Sequence, residues 1–227
     1  MKMDRKNKVQ WTDELEKYHL LKHPFYQAWN EGRLTVEDLK IYARQYFHHV
    51  NAFPRYLSTI HAGCEDLATR QVLLDNLVDE EKGERNHPEL WLRFAEGLGE
   101  TREAVKSQKP FTETKALMDC FFECAQASTA EGIGALHAYE NQVPEVAESK
   151  IKGLVEQYQM SDERALDFFK EHIGADEWHS EETARLIEAL PDDEKAKAKN
   201  ASLKAAKALW RFLDGVQREI TTECKST

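Results

Sequence analysis

Histidines and carboxylates recur at helical spacing in two segments of this sequence. Each segment places three such side chains at intervals of four and three residues: Glu80, Glu84 and His87 in the first, and His172, Asp176 and His179 in the second. Because each residue of an α-helix turns the side chain by about 100°, positions i, i+4 and i+7 lie within about 60° of arc. Glu81 is rotated by about 100° from Glu80 and would miss that face. The spacing therefore predicts two helical faces that present metal ligands.

A further carboxylate lies in an apolar segment. Glu140 follows a mostly apolar run that begins near Gly132. A carboxylate on such a face is costly to bury unless it is paired or bound to a metal. We therefore predict Glu140 as another ligand, with His137, one helical turn earlier, as an alternative.

The types of donor indicate which metals would bind. Three imidazoles and at least three carboxylates, without a thiolate, suit two first-row ions such as iron or manganese better than structural zinc. The four cysteines show no CxxC spacing, which argues against a zinc site built from them. Helical bundles are known to hold two-metal sites in their interiors. Because a pair of reduced ions with open positions can bind dioxygen, the pattern predicts an oxygen-activating centre.

Length and charge restrict the classes of protein. The 227 residues contain no repeat or Gly/Ser linker, which predicts one domain over 1–227 with flexible ends at 1–11 and 221–227. The formal charge of −10 argues against nucleic acids and anionic membranes as partners. No apolar run approaches the ~20 residues that cross a bilayer, and the basic, polar start of the chain is not a secretory signal. We expect a cytoplasmic protein.

Apolar residues recur at three- and four-residue steps along nearly the whole chain, which predicts an all-α bundle of seven or eight helices. Pro24 should bend or split the first helix, and Thr35 should cap the second, with a kink at Pro54. The later helices are expected over about 66–96, over about 112–142, from Pro144 onward, over about 161–190 and over about 200–219. The 66–96 and 161–190 helices would carry the two ligand faces.

Four segments resemble a known family: HPFYQAW (23–29), DEEKGERNHPELW (79–91), HAYENQVPEVAESK (137–150) and EHIGADEWHSEE (171–182). The order Glu-x6-His, then Glu, then His-x3-Asp-x2-His resembles the haem-oxygenase-like di-metal oxidases. Within that group the chain is similar, over about 19–190, to the para-aminobenzoate synthases related to the chlamydial protein associating with death domains. The resemblance implies a haem-oxygenase-like bundle and a ligand set of Glu80, His87, Glu140, His172, Asp176 and His179. It leaves Glu84 and His137 in supporting positions.

The resemblance also implies an unusual reaction. Such proteins are thought to make 4-aminobenzoate, a folate precursor, from one of their own tyrosines, so that each molecule reacts at most once. Carried over by motif, Tyr26 is the consumed tyrosine, Lys150 the amino donor, and Tyr42 and Tyr139 their redox or hydrogen-bonding partners. The cofactor would be Fe/Fe or Mn/Fe, with dioxygen and an external reductant as co-substrates. No separate small-molecule carbon substrate is implied, and related folds often form homodimers.

Other interpretations stay open at this point. Buried tyrosines usually fill a core with their hydroxyls satisfied, and a lysine such as Lys150 is usually solvated. The same architecture resembles the PQQ-synthase C proteins, which oxidise a substrate without metal, and the TenA thiaminases, whose nucleophile would here be Cys124. A protein that binds death domains is a further alternative. Metal content distinguishes an interaction protein from an oxidase.

Overall fold

The structure, a computed structural model, describes Val9 and residues 11–223, apart from the side chains of residues 175–177 and 221–223. The α-helices are α1 (Thr12–Leu15), α2 (Pro24–Asn30), α3 (Val36–Gly63), α4 (Leu67–Glu81), α5 (His87–Gly97), α6 (Arg102–Ser107), α7 (Thr112–Ala127), α8 (Thr129–Glu140), α9 (Val143–Tyr158), α10 (Glu163–Ala189) and α11 (Asp192–Glu223). Two short 3-10 turns, Glu16–Tyr18 and Leu20–Lys22, connect α1 to α2. The described residues contain no strand, so the predicted all-α class is confirmed.

The helix expected over 66–96 is broken into α4 and α5. Gly83, between them, adopts a φ of +84°, a conformation that suits glycine and ends a helix. The side chain of Asn86 then accepts a hydrogen bond from the backbone N–H of Glu89 and caps α5, with Pro88 in its first turn. Turn chemistry therefore overrides an apolar periodicity that continues across the break.

This break corrects the first ligand face. Glu80 ends up near the C-terminus of α4 and His87 is the first residue of α5, so the prediction that they share one helical face with Glu84 is wrong. Glu84 lies in the connection and is exposed. The helix expected over 112–142 is also broken, because Ser128 caps a new helix, α8. These two breaks raise the number of helices above the seven or eight expected.

Helix α8 occupies the centre of the bundle. It packs against α7, α10 and α11, and all of its residues from Gly132 to Glu140 are buried. Gly134 allows α11 to approach closely, since a β-carbon there would overlap the carbonyl oxygen of Ala198. The central position of α8 carries Glu140 into the interior.

Several local predictions are confirmed. Pro24 begins α2 and so splits the first predicted helix, and Thr35 forms a capping box with Asp38. Helix α3 continues through Pro54, where the expected kink stays a prediction. The predicted start of the last helix at about residue 200 is wrong, because α11 begins at Asp192, eight residues earlier. The predicted flexible ends fall mostly outside the described residues, although Val9 and Trp11 are buried. Of the described helices, none combines the length and the apolar character needed to cross a membrane.

Candidate metal centre and tyrosine–lysine cluster

Three of the predicted ligands meet in the interior. Glu80, His87 and His172 each offer a donor atom, and these atoms lie within 4.8 Å of one another. The Nδ1 atom of His87 is 2.7 Å from Oε2 of Glu80, and the rings of His87 and His172 are 4.1 Å apart between centroids. All three side chains are buried. They come from the end of α4, the start of α5 and the middle of α10, so the loop between α4 and α5 helps to form the site.

The protonation state of His172 suits metal binding. Its Nδ1 atom lies 2.7 Å from the carbonyl oxygen of Phe168, and because a carbonyl only accepts, Nδ1 carries the proton. Burial lowers the pKa of His172 well below its usual value, and electrostatic interactions with His87 and His179 lower it further. The ring is therefore neutral, with the Nε2 lone pair available as a ligand.

The other three predicted ligands are Glu140, His179 and Asp176. Glu140 is fully buried, and its Oε1 accepts a hydrogen bond of 2.7 Å from the side-chain amide of Asn76. His179 is buried, with Nε2 located 3.1 Å from Oδ2 of Asp79. Asp176 belongs to α10, but its side chain lies outside the described residues.

His137, the alternative ligand, has a different environment. Its Nδ1 is 3.1 Å from the hydroxyl of Thr183, and burial lowers its pKa to about 4. A neutral histidine that bonds a neighbouring hydroxyl acts as a core residue, which agrees with a supporting position.

The donor chemistry fits a first-row metal centre. One carboxylate and two imidazoles converge, and a second carboxylate, Glu140 on α8, and a third imidazole, His179 on α10, are also buried. Mixed nitrogen and oxygen donors without thiolate are typical ligands for iron and manganese. The residues therefore suit the metals that the sequence predicts.

A second cluster joins the predicted tyrosines and lysine. The hydroxyls of Tyr26 and Tyr42 are 2.9 Å apart, and Nζ of Lys150 donates to the Tyr42 oxygen at 2.8 Å. Nζ also lies 5.2 Å from the centroid of each of these two rings. Lys150 is only 4 % exposed, so its interpretation as a solvated surface lysine is wrong.

A small cavity connects the two clusters. It measures about 10 Å³, roughly the space for one water molecule, and is lined by His172 and Lys150 together with Tyr26, Tyr46 and Tyr139. The hydroxyl of Tyr46 donates to that of Tyr139 at 2.8 Å, and its ring stacks on Tyr42 with centroids 5.3 Å apart. The proposed metal side and the lysine side thus share one enclosed space.

Comparisons with known proteins agree with this geometry. Residues 40–213 match the haem-oxygenase-like family described as "Iron-containing redox enzyme". The chain belongs to this family. It is therefore a redox enzyme, and the iron-binding character of the family agrees with the site formed by Glu80, His87 and His172.

Relatives within the family carry a more specific name. A protein of Chlamydia muridarum named 4-aminobenzoate synthase is 43 % identical over 201 residues, which cover 88 % of this chain and 85 % of the relative. A protein of Nitrosomonas europaea with the same name is 41 % identical, covering 92 % of this chain and 90 % of the relative. A pyrroloquinoline-quinone synthase of Ectopseudomonas mendocina is 27 % identical, over 69 % of this chain and 63 % of the relative.

A solved structure supports the fold. A domain of unknown function from Shewanella denitrificans, which has a haem-oxygenase-like fold, superimposes with a TM-score of 0.82 and 18 % identity. The superposition covers 96 % of this chain and 97 % of that chain. At this low identity the likeness confirms the predicted haem-oxygenase-like fold alone.

The sequence analysis did not identify three residues that contact the two clusters: Tyr46, Asn76 and Asp79. Tyr46 follows Tyr42 by one helical turn, so helical spacing was a usable signal that both face the cavity. Asn76 precedes Glu80 by one turn, but its bond to Glu140 depends on how α4 packs against α8. Asp79 gave no signal, because its contact with His179 joins residues 100 positions apart.

Proposed function

We propose that this enzyme makes 4-aminobenzoate from its own Tyr26 side chain, with Lys150 as the amino donor. The observation that carries the proposal is the burial of the Lys150 amine against Tyr42 and Tyr26, in a cavity that it shares with His172. The name 4-aminobenzoate synthase, which the relatives carry, supports 4-aminobenzoate as the product. No separate carbon substrate is then required, and we expect the enzyme to act as a homodimer in the cytoplasm.

Burial prepares Lys150 to act as an amine. Desolvation lowers its pKa from 10.5 to about 7, so about half of the side chains are unprotonated near neutral pH. A neutral amine has the lone pair that an amino donor needs, whereas an ammonium ion does not. This state separates Lys150 from the solvated lysines of the surface.

Hydrogen bonds orient the phenols around the amine. Because the Tyr42 oxygen accepts from Lys150, its own hydrogen is free to point to the Tyr26 oxygen. Burial raises the pKa of both phenols, so they stay protonated at neutral pH. The Tyr42 hydroxyl therefore lies between Tyr26, the proposed consumed side chain, and Lys150, the proposed nitrogen donor.

We assign the metal centre to Glu80, His87, Glu140, His172, Asp176 and His179, with Fe/Fe or Mn/Fe as the cofactor. When bound, the two ions would supply the dioxygen chemistry that separates the ring from the backbone, with electrons from an external reductant. The protein itself excludes water with a wall of Leu20, Val143 and Val146. Tyr139 and Tyr46, the latter stacked on Tyr42, complete the lining between His172 and Lys150.

Intact mass after a single turnover tests the proposal. The metal-free protein is loaded anaerobically with ferrous ion, alone or with manganese, and then exposed to oxygen and a reductant. We expect 4-aminobenzoate in solution and a lighter protein, with the loss in the peptide that contains Tyr26. Tyr26→Phe should abolish both signals, whereas Tyr18→Phe, at a tyrosine outside the cluster, should preserve them. Unchanged mass with full metal occupancy would exclude consumption of a tyrosine.

One variant of a proposed ligand and one of the proposed amino donor distinguish metal binding from amination. His172→Ala should lower the metal content by one ion, because it removes a ligand that is buried with Glu80 and His87. Lys150→Arg should bind metal normally but fail to form product, since a guanidinium stays protonated. A metal-free oxidase would retain activity without metal, and a death-domain-binding protein would bind its partner without it.

A further inference from the structure

Exposed apolar side chains concentrate on one face of the protein. Among the described residues, six large hydrophobic side chains are exposed, and four of them lie on α4 and the adjoining part of α10: Leu67 at 60 %, Leu74 at 45 %, Val78 at 39 % and Trp178 at 42 %. The three α4 residues are spaced by seven and four positions and so share one side of the helix. We call these four residues the α4–α10 face. A cluster of this kind on a soluble protein marks an interaction site.

This face covers the outer edge of the proposed metal centre. The ring of Trp178 lies 5.2 Å from the ring of His179, and Asp79, half exposed beside Val78, bonds the same histidine at 3.1 Å. Helix α4 buries Glu80 on its opposite side. A partner bound to the α4–α10 face would therefore be separated from the centre by a single side chain.

The rim of the face is net acidic. Asp75, Asp79 and Glu81 are exposed on α4, against the partly buried Arg70 and the exposed Lys82 that flank them. On α10, Glu181 is exposed, while the exposed Arg185 is ion-paired with Glu182. An apolar centre with an acidic rim is complementary to a partner that presents an apolar patch inside a basic rim.

We propose that the α4–α10 face docks a protein electron donor with a basic rim. The inference rests on the proposed function, which needs an external reductant. A second copy of this chain is disfavoured here, because a two-fold interface places the same surface on itself and would set the acidic rims against each other. A donor with a basic rim is instead attracted by the same acidic side chains.

The electron enters through Trp178 and His179. In each step the donor would lose one electron and an oxidised ion bound by His179 would gain it, while no bond forms or breaks. Two such steps would supply the two electrons that the proposed centre needs from its external reductant. The ring-to-ring contact of 5.2 Å, with planes at 64°, connects the exposed Trp178 directly to the buried His179.

A binding experiment tests the docking surface. Cytochrome c is a suitable probe because it is a basic protein with an apolar cofactor edge, and its binding to the metal-loaded enzyme is measured by calorimetry at low ionic strength. Leu74→Ser and Trp178→Ala should each weaken binding by about tenfold, as truncation of central interface residues does. Val155→Ser is the matched control, at an equally exposed valine on α9, and should bind like the wild type. Equal binding by all variants would overturn the proposal.

An electron-transfer experiment tests the route. The oxidised, metal-loaded enzyme is mixed with hexaammineruthenium(II), a cationic one-electron reductant, and reduction of the metal is followed spectroscopically. Trp178→Ala, Asp75→Asn and Glu181→Gln should each slow reduction severalfold, while dithionite, an anion, should reduce all variants fully. Unchanged rates with the cationic reductant would overturn the route. A wild-type dimer that dissociates in Leu74→Ser would instead identify the face as a self-interface and overturn the proposal.

These readouts separate the two proposals. Binding and metal reduction are measured without product, so a failure to form 4-aminobenzoate leaves them unaffected. If product forms normally but neither readout responds to the variants, the proposed function stands and the docking surface is wrong.

Discussion

The side-chain nitrogen of Lys150 lies 2.8 Å from the hydroxyl oxygen of Tyr42, and both groups are buried. Aromatic rings surround the amine, with the centroids of Tyr46 and Phe169 at 5.1 and 5.4 Å. These rings compensate only part of the lost hydration of an ammonium ion, which is why burial lowers the pKa to about 7. Burial of this amine lowers the free energy of unfolding, and unfolding experiments can measure the effect.

We predict that Lys150→Met stabilises the protein at neutral pH. Between about pH 7 and 10.5 the unfolded chain holds a proton on this lysine that the folded protein lacks, so the free energy of unfolding of the wild type rises with pH. The variant should lose this rise and gain on the order of 4 kcal/mol near pH 7. Urea unfolding at several pH values measures both effects.

Lys152→Met provides the matched control, because Lys152 is an exposed lysine on the same helix, two residues away. It should leave both the free energy of unfolding and its pH dependence unchanged. If Lys150→Met behaves like this control, Lys150 is charged in the folded protein, and its role as a neutral amine is wrong.

Gly153 sets the distance between the helices that carry Lys150 and Tyr26. A β-carbon there would lie 2.6 Å from Cδ1 of Trp29, whose Nε1 donates to the carbonyl of Lys150. We predict that Gly153→Ala pushes α9 from α2, destabilises the protein by about 1–3 kcal/mol and greatly lowers the yield of 4-aminobenzoate. Thermal unfolding and product analysis measure the two effects. Gly63→Ala, with no atom within 4 Å of the new carbon, should change neither yield nor packing.

His23 anchors the start of the helix that carries Tyr26. Its Nδ1 accepts a hydrogen bond from the backbone N–H of Phe25, so Nε2 carries the proton and donates to Asp214 of α11 at 3.1 Å. We predict that His23→Ala costs about 1 kcal/mol of stability and speeds hydrogen exchange at Phe25 and Tyr26. His23→Asn retains a capping oxygen and should restore most of the protection. Equal exchange in His23→Ala and wild type would show that the cap does not hold α2.

Helical spacing selected residues that do meet in the candidate centre, but it placed Glu80 and His87 on one continuous helix, which is wrong. Glu80 and His87 meet as expected, yet they do so across a turn at Gly83 that spacing alone treats as continuous helix. The predicted helical face failed because glycine and asparagine act over single residues, whereas apolar periodicity averages over many. His172 meets Glu80 and His87 from α10, which is unbroken through its position, and its role as a metal ligand stays a prediction.

Long-range contacts limited the rest of the prediction. The meeting of Lys150 with Tyr42 joins residues 108 positions apart, and no local pattern encodes such a pair. The family resemblance supplied this pair as an expectation. The exposed face of α4 was also unpredictable, because Leu74 and Val78 read as ordinary core residues until packing leaves them outside.

Asp79 is a carboxylate outside the proposed ligand set, and its bond to His179 holds that ring in one orientation. With Nε2 of His179 directed to Asp79 at 3.1 Å, the ring would present Nδ1 to a metal. We predict that Asp79→Asn weakens binding of one of the two ions by about 10–100-fold, because it removes the negative charge that orients the ring and raises its basicity. Titration of metal-free protein with manganese, followed by electron paramagnetic resonance, measures the loss. Asp75→Asn, one turn earlier on α4, should retain both ions, and equal affinities in the two variants would exclude Asp79 as a support of the centre.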